Sequence, residues 1–141
     1  MKISIEYVRY FKEDGVQQFE WRPMFIHDNT LNFSEIIPSL INFNKIRLTS
    51  DCNAVQLQTD EIQFLSKQSQ DMVGPNDQVL ALSYYQLYHY VSVLVDLENR
   101  EDWMRETLVE LDTLLHILDN VCDELEMPIS HVRVVLIGVP T

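Results

Sequence analysis

Between Met104 and Leu125, the residues Met104, Leu108, Leu111, Leu115, Leu118, Cys122 and Leu125 recur at steps of four, three, four, three, four and three. Only a helix turns that spacing into one continuous apolar stripe, here about six turns long. Such a helix is not stable alone in water and needs an apolar layer to cover its stripe. Asn99 is expected to cap its start, with Glu101 and Asp102 in the first turn, where the helix dipole favours acids. Pro128 is expected to end it.

The covering layer reads as strands. "KISIEYVRYF" alternates, with Ile3, Ile5 and Tyr7, and Arg9 in the same register, on one face. "KEDG" then offers Asp14 and Gly15 for a tight turn with positive φ. "VQQFEWRPMFI" comes next as the second strand of a hairpin, and Pro23, which has no N–H, places it at an edge or at a bulge. "HDNT" (His27–Thr30) reads as a loop, Ser34 caps a short helix that tolerates Pro38 near its start, and "KIRLTS" and "NAVQLQ" suit strands. Residues 59–72 lean towards helix on Thr59 as N-cap with Asp60 and Glu61 behind it, although Ile62 and Phe64 in alternation also allow strand. "GPND" (Gly74–Asp77) is a clear break, with Asp77 positioned to cap the next element. The segment from Val79 to Leu97 is apolar almost all round, which predicts a central buried helix, although its Val91–Leu97 part also allows strand. "HVRVVLIGV" (His131–Val139) is apolar on both faces and predicts an internal strand.

These elements predict an α+β fold: a mainly antiparallel sheet of about five strands, with two long helices from the C-terminal half packed on one face. A chain of 141 residues, 46% hydrophobic and 23% charged, suits one domain spanning 1–141.

Charge is the second constraint. The net charge is −12. Residues 1–70 hold nine acids against seven bases, whereas residues 96–126 hold eleven acids against Arg100 and Arg105. This field repels nucleic acid and anionic membrane and attracts basic proteins or cations. It also keeps a small protein soluble. Two distant cysteines, Cys52 and Cys122, build no disulfide framework and read as reduced thiols of a cytoplasmic protein. The N-terminal residues lack the apolar run of a signal peptide, and the longest apolar run, Val134–Val139, falls far short of the ~20 residues a membrane span needs.

With only Gly15, Gly74 and Gly138, no glycine-rich phosphate loop can be built, which excludes P-loop and Rossmann nucleotide chemistry. There is also no G-x-S-x-G, CxxC, HExxH or EF-hand pattern, and no cofactor is implied. Asp112, His116, Asp119 and Asp123 succeed one another at steps of four, three and four, so they share one helix face. Carboxylates with an imidazole suit zinc, manganese or iron, but one helix rarely supplies a whole site, and a solvated boundary row gives the same pattern. His89 stands among Tyr84, Tyr85, Tyr88 and Tyr90, an arrangement that lines a pocket or simply packs. His27 with Asp28 is a polar loop pair, His131 a connector residue, and Cys122 part of the apolar stripe.

Together these features describe a small acidic interaction domain of the inhibitor, immunity or adaptor type. Glu106, Glu110, Asp112, Asp119, Asp123 and Glu124 of the last helix would dock on a basic partner. Carboxylates about 6 Å apart on successive turns resemble phosphate spacing, so such a helix can imitate nucleic acid without binding it. Two alternatives remain open: a metal-dependent enzyme using Asp112, His116 and Asp119, and a homo-oligomer subunit joined through Val79–Leu97.

Overall fold

A computed structural model describes residues 2–27, 55–56, 61–96, 98–99 and 101–138. Of the loop expected at His27–Thr30, His27 instead ends the second strand, paired with Ile3; Asp28 to Thr30, the helix capped by Ser34, the strand at 45–50, Cys52 and the Thr59 cap lie outside them. The fold is α+β. Strands β1 (Lys2–Glu13), β2 (Val16–His27), β4 (Gln78–Ser83) and β5 (Val132–Gly138) form an antiparallel sheet in the order β2-β1-β5-β4. A two-residue strand, β3 (Val55–Gln56), pairs with the outer side of β4. Helix α2 (Tyr84–Asp96) and helix α3 (Asp102–Leu125) pack together over one face, and a short helix, α1 (Lys67–Met72), lies against the other.

The hairpin forms as its turn chemistry dictates. Asp14 takes φ 51° and Gly15 φ 78°, which lets Glu13 pair directly with Val16. Pro23 sits where β2 changes register against Ile5 and Glu6, and β2 is at the edge of the sheet on β1's outer side. The bulge and the edge both tolerate a residue without an N–H. β5 pairs with β1 only as far as Tyr7, so the outer half of the hairpin runs on as a two-stranded ribbon.

β5 is internal, as its sequence predicts, because both its faces are buried. Val132, Val134 and Leu136 join Ile3, Ile5, Leu80 and Leu82 beneath the helices. Val135 and Ile137 join Val79 and Leu65 on the opposite side. The same two-sided burial corrects the reading of Val79–Leu97 as one helix. Residues Gln78–Ser83 are a strand that buries Val79 on one face and Leu80 and Leu82 on the other, which a continuous apolar run allows as readily as a helix does.

The chain passes from β4 into α2 without a loop. Ser83 Oγ accepts from the Gln86 N–H at 3.2 Å, and Gln86 Oε1 accepts from the Ser83 N–H at 2.8 Å. This is a capping box, and its S-x-x-Q signature stands in the sequence as "SYYQ". α2 buries Leu87, Tyr90 and Leu94 but leaves Tyr85, Tyr88 and Val95 exposed, so it is not buried all round. Residues 61–72 are likewise mixed: a 3₁₀ turn at Ile62–Phe64 precedes α1, which is capped by Ser66. Asp77 caps no helix; its carboxylate accepts the Gly74 N–H at 2.6 Å and closes the turn before β4.

α3 begins at Glu101, not Asn99, and Glu101 supplies no side-chain cap. It ends at Leu125, where Glu126 turns left-handed (φ 51°) and the Glu126 and Met127 N–H groups bond the carbonyls of Asp123 and Cys122. Pro128 therefore comes after the stop. Met104, Leu111, Leu115, Leu118 and Cys122 are buried as their spacing requires, and Thr107 and Leu114 widen the stripe. Leu125 is 55% exposed, because it lies on the last turn, beyond the sheet-facing part of the stripe. Leu118→Ala is expected to lower unfolding free energy in urea by about 2–5 kcal/mol. Leu125→Ala is expected to change it by less than about 0.5 kcal/mol.

Candidate functional site

At ~100° per residue, Leu111, Leu114, Leu118 and Cys122 centre on one side of α3, and Asp102, Glu106, Asp123 and Glu124 fall on the other. The helix carries seven acids against Arg105 and His116 over a length of ~36 Å. Arg105 is already engaged by Asp102 at 3.3 Å. Of the six acids expected to form a docking face, Glu106, Asp112, Asp123 and Glu124 are exposed. Glu110 and Asp119 are half-buried at the boundary with the core. Asp119 accepts a hydrogen bond from the Tyr84 hydroxyl at 3.3 Å and so helps tie α3 to α2. Burial first, and then the Asp119 charge, raise the Tyr84 pKa.

Asp112, His116, Asp119 and Asp123 share a face, but their partners differ. His116 Nδ1 lies 2.8 Å from the Asp112 carbonyl oxygen and 3.6 Å from the Asp112 carboxylate. The backbone bond first, and the Asp112 charge second, raise the imidazole above its usual 6.5. Among the described residues, no group of three or more His, Cys, Asp or Glu side chains is placed to hold a metal ion. Burial, and then the charges of Asp119 and Asp123, raise the Cys122 thiol, which sits in the core. The tyrosines of α2 do not gather around His89: Tyr84 and Tyr85 meet edge-on at 6.2 Å, Tyr85 and Tyr88 face outward and Tyr90 inward, with the half-buried His89 edge-on to the Tyr90 ring at 6.5 Å. His131 closes the 3₁₀ turn before β5 and packs edge-on against Tyr10 at 5.6 Å.

The densest polar constellation is one that local sequence patterns do not single out. Glu6, fully buried in β1, receives Arg133 Nη2 at 2.7 Å and Nε at 2.9 Å on Oε1, and the Ser66 N–H at 2.7 Å on Oε2. Arg133 also donates to the Phe64 carbonyl at 3.3 Å and lies 3.8 Å from the centre of the Trp21 ring. Burial lowers the Arg133 pKa and the Glu6 charge opposes that, so the guanidinium stays protonated. Beside this pair, Ser4 Oγ meets Ser69 Oγ at 2.7 Å, Ser69 Oγ accepts from Ser66 Oγ at 3.0 Å, and Lys2 donates to the Met72 carbonyl at 2.7 Å. The network holds α1 and the 3₁₀ turn to the sheet. Among the described residues, two clefts flank Trp21: one of about 460 Å³ between β2 and residues 63–67, and one of about 270 Å³ over the start of α2. The one available signal is Arg133, a lone charge in an otherwise apolar strand; Glu6 takes an ordinary polar position of an alternating strand, and their pairing spans 127 positions.

No helix among the described residues is long and apolar enough to cross a membrane. Comparison of the chain with protein-family models, with curated proteins and with solved structures found no match.

Two measurements check this geometry. Arg133→Met leaves the Glu6 carboxylate buried without its ion-pair partner and is expected to lower stability by about 3–5 kcal/mol. The double variant Glu6→Leu/Arg133→Met is expected to recover most of that loss in the same denaturant titration. NMR titration of His116 is expected to give a midpoint above 6.5, falling in Asp112→Asn as the carboxylate contribution goes. Because the folded-state value is raised, any stability from this contact is complete below 6.5 and fades as pH rises through the folded-state midpoint.

Proposed function

We propose that this chain is a small acidic interaction domain, of the inhibitor, immunity or adaptor type, that acts in the cytosol by docking α3 on a basic partner protein. The observation that carries the reading is the opposition on α3: the core lies on one side, and an outward face with acids and a single, already paired arginine lies on the other. A helix packed by its apolar stripe presents those carboxylates in a fixed array. Their summed field steers a basic surface towards them and makes association fast and salt-sensitive. The same field repels nucleic acid and anionic membrane. In this role the chain binds its partner and catalyses no reaction.

The face used is narrower than the acid spacing alone suggests. Asp119 holds Tyr84 and Glu110 is half-buried, so Glu106, Asp112, Asp123 and Glu124 are the recognition residues. Reversing these four to lysine is expected to leave the circular dichroism spectrum unchanged. Affinity for the partner captured by the native protein at low salt should fall by about tenfold or more, with a flatter salt dependence. Undiminished binding by the reversed variant would remove the proposal.

Self-association through α2 is a second reading, favoured by the exposed stripe Tyr85, Tyr88 and Val95. These fall at i, i+3 and i+10, on one side of the helix. Sedimentation should then show a dimer that Tyr88→Glu converts to monomer. A native protein that sediments as a monomer at high concentration excludes it.

A further inference from the structure

We propose that the cleft between β2 and residues 63–67 is a binding site for a small aromatic carboxylate. It lies on the face of the sheet opposite to α2 and α3, so it stands or falls independently of the docking role of α3. Its volume, about 460 Å³, is within the range of small-molecule pockets. Phe19 and Trp21 line one wall and Phe64 the other. Phe19 and Phe64 are each 63% exposed, an arrangement that leaves two large rings for a ligand ring to cover.

The walls are braced from behind. The Phe64 carbonyl accepts from Arg133, the carbonyls of Gln63 and Leu65 accept from Gln70 Nε2 at 3.0 and 2.7 Å, and the Ser66 N–H is held by Glu6. Arg133 stacks on the Trp21 ring at 3.8 Å and holds it in place. A site held in this way loses little freedom when a ligand enters.

Within the cleft the group suited to an anion is Lys67. Lys67 lines it and has neither a hydrogen bond nor an ion pair among the described residues. Glu20, also in the lining, is neutralised by Arg9 at 3.4 Å and Arg22 at 3.6 Å, which lie with it on the hairpin face opposite to that of Trp21. Arg133 is taken up by Glu6, so Lys67 is the cation the lining offers, in a protein of net charge −12. Charges beyond about 8 Å are screened at physiological salt, so the Lys67 ammonium, and not the net charge, governs recognition in the cleft. A carboxylate would meet the Lys67 ammonium while its ring lies against Phe19 and Phe64, with the amides of Gln18 and Gln63 at the rim.

The test is a heteronuclear NMR titration of the whole chain with 3-phenylpropionate and, separately, with the neutral 3-phenylpropanamide. Saturable shifts are expected at the Trp21 indole N–H and at residues 63–67, with the amide binding about fivefold more weakly. Lys67→Gln should erase that difference, and Phe64→Ala should weaken both ligands by about tenfold. Both positions are exposed, so these variants are expected to fold, and a thermal melt of each provides the control. Absence of saturation, or equal binding of acid and amide that Lys67→Gln leaves unchanged, overturns the proposal.

Discussion

The buried pair of Glu6 and Arg133 is the interaction on which the second face of the sheet depends. A carboxylate with no solvent exposure costs several kcal/mol to desolvate. Here that cost is offset by two bonds from one guanidinium and one from a backbone N–H, so each lone pair in use has a donor. The pair also specifies geometry. It fixes β5 against β1, it brings the chain at Ser66 down onto the sheet, and it sets the Trp21 side chain by stacking. An apolar pair of equal volume could match its stability but would not dictate that arrangement.

The two faces of the sheet are thus built on different principles. Beneath α2 and α3 the layer is apolar and held by area burial, with Leu80, Leu82, Leu111, Leu118 and Leu136 each almost fully removed from water. On the opposite face a small apolar cluster around Leu65, Val135 and Ile137 adjoins the polar network of Ser4, Glu6, Ser66, Ser69 and Arg133. Hydrogen bonds there are directional, so this face holds its segment in one register, whereas the helix face tolerates small shifts of packing. The division also separates the charges. The acids lie outward on α3, and the neutral Glu6–Arg133 pair sits at Trp21, on the far side of the sheet.

Much of the fold was legible in the sequence because it is written in local spacing. The hairpin came from Asp14 and Gly15, the bulged edge strand from Pro23, the internal strand from the two-sided apolarity of Val132–Ile137, and the long helix from its four–three repeat. The Val79–Leu97 segment was misread because a strand buried on both faces and a helix buried all round share the same continuous apolarity. The cue that separates them, the S-x-x-Q box at Ser83 and Gln86, lies inside the run. Of the candidate docking residues, the spacing placed all six on α3. It did not distinguish Asp119, which turns in to Tyr84, from Asp123, which stays exposed.

What the sequence determined by itself is periodicity and charge: an α+β chain with a long amphipathic helix, a strongly acidic C-terminal half, and too few glycines for a phosphate loop. Those properties depend on neighbours within about one helical turn or one strand pair, and such neighbours are close in the chain. Only the tertiary structure decided which polar residues meet. Glu6 and Arg133 are 127 positions apart, Ser4 and Ser69 are 65 apart, and Tyr84 and Asp119 are 35 apart. Contacts at such separations arise from the order of strands in the sheet, β2-β1-β5-β4, which no local pattern encodes.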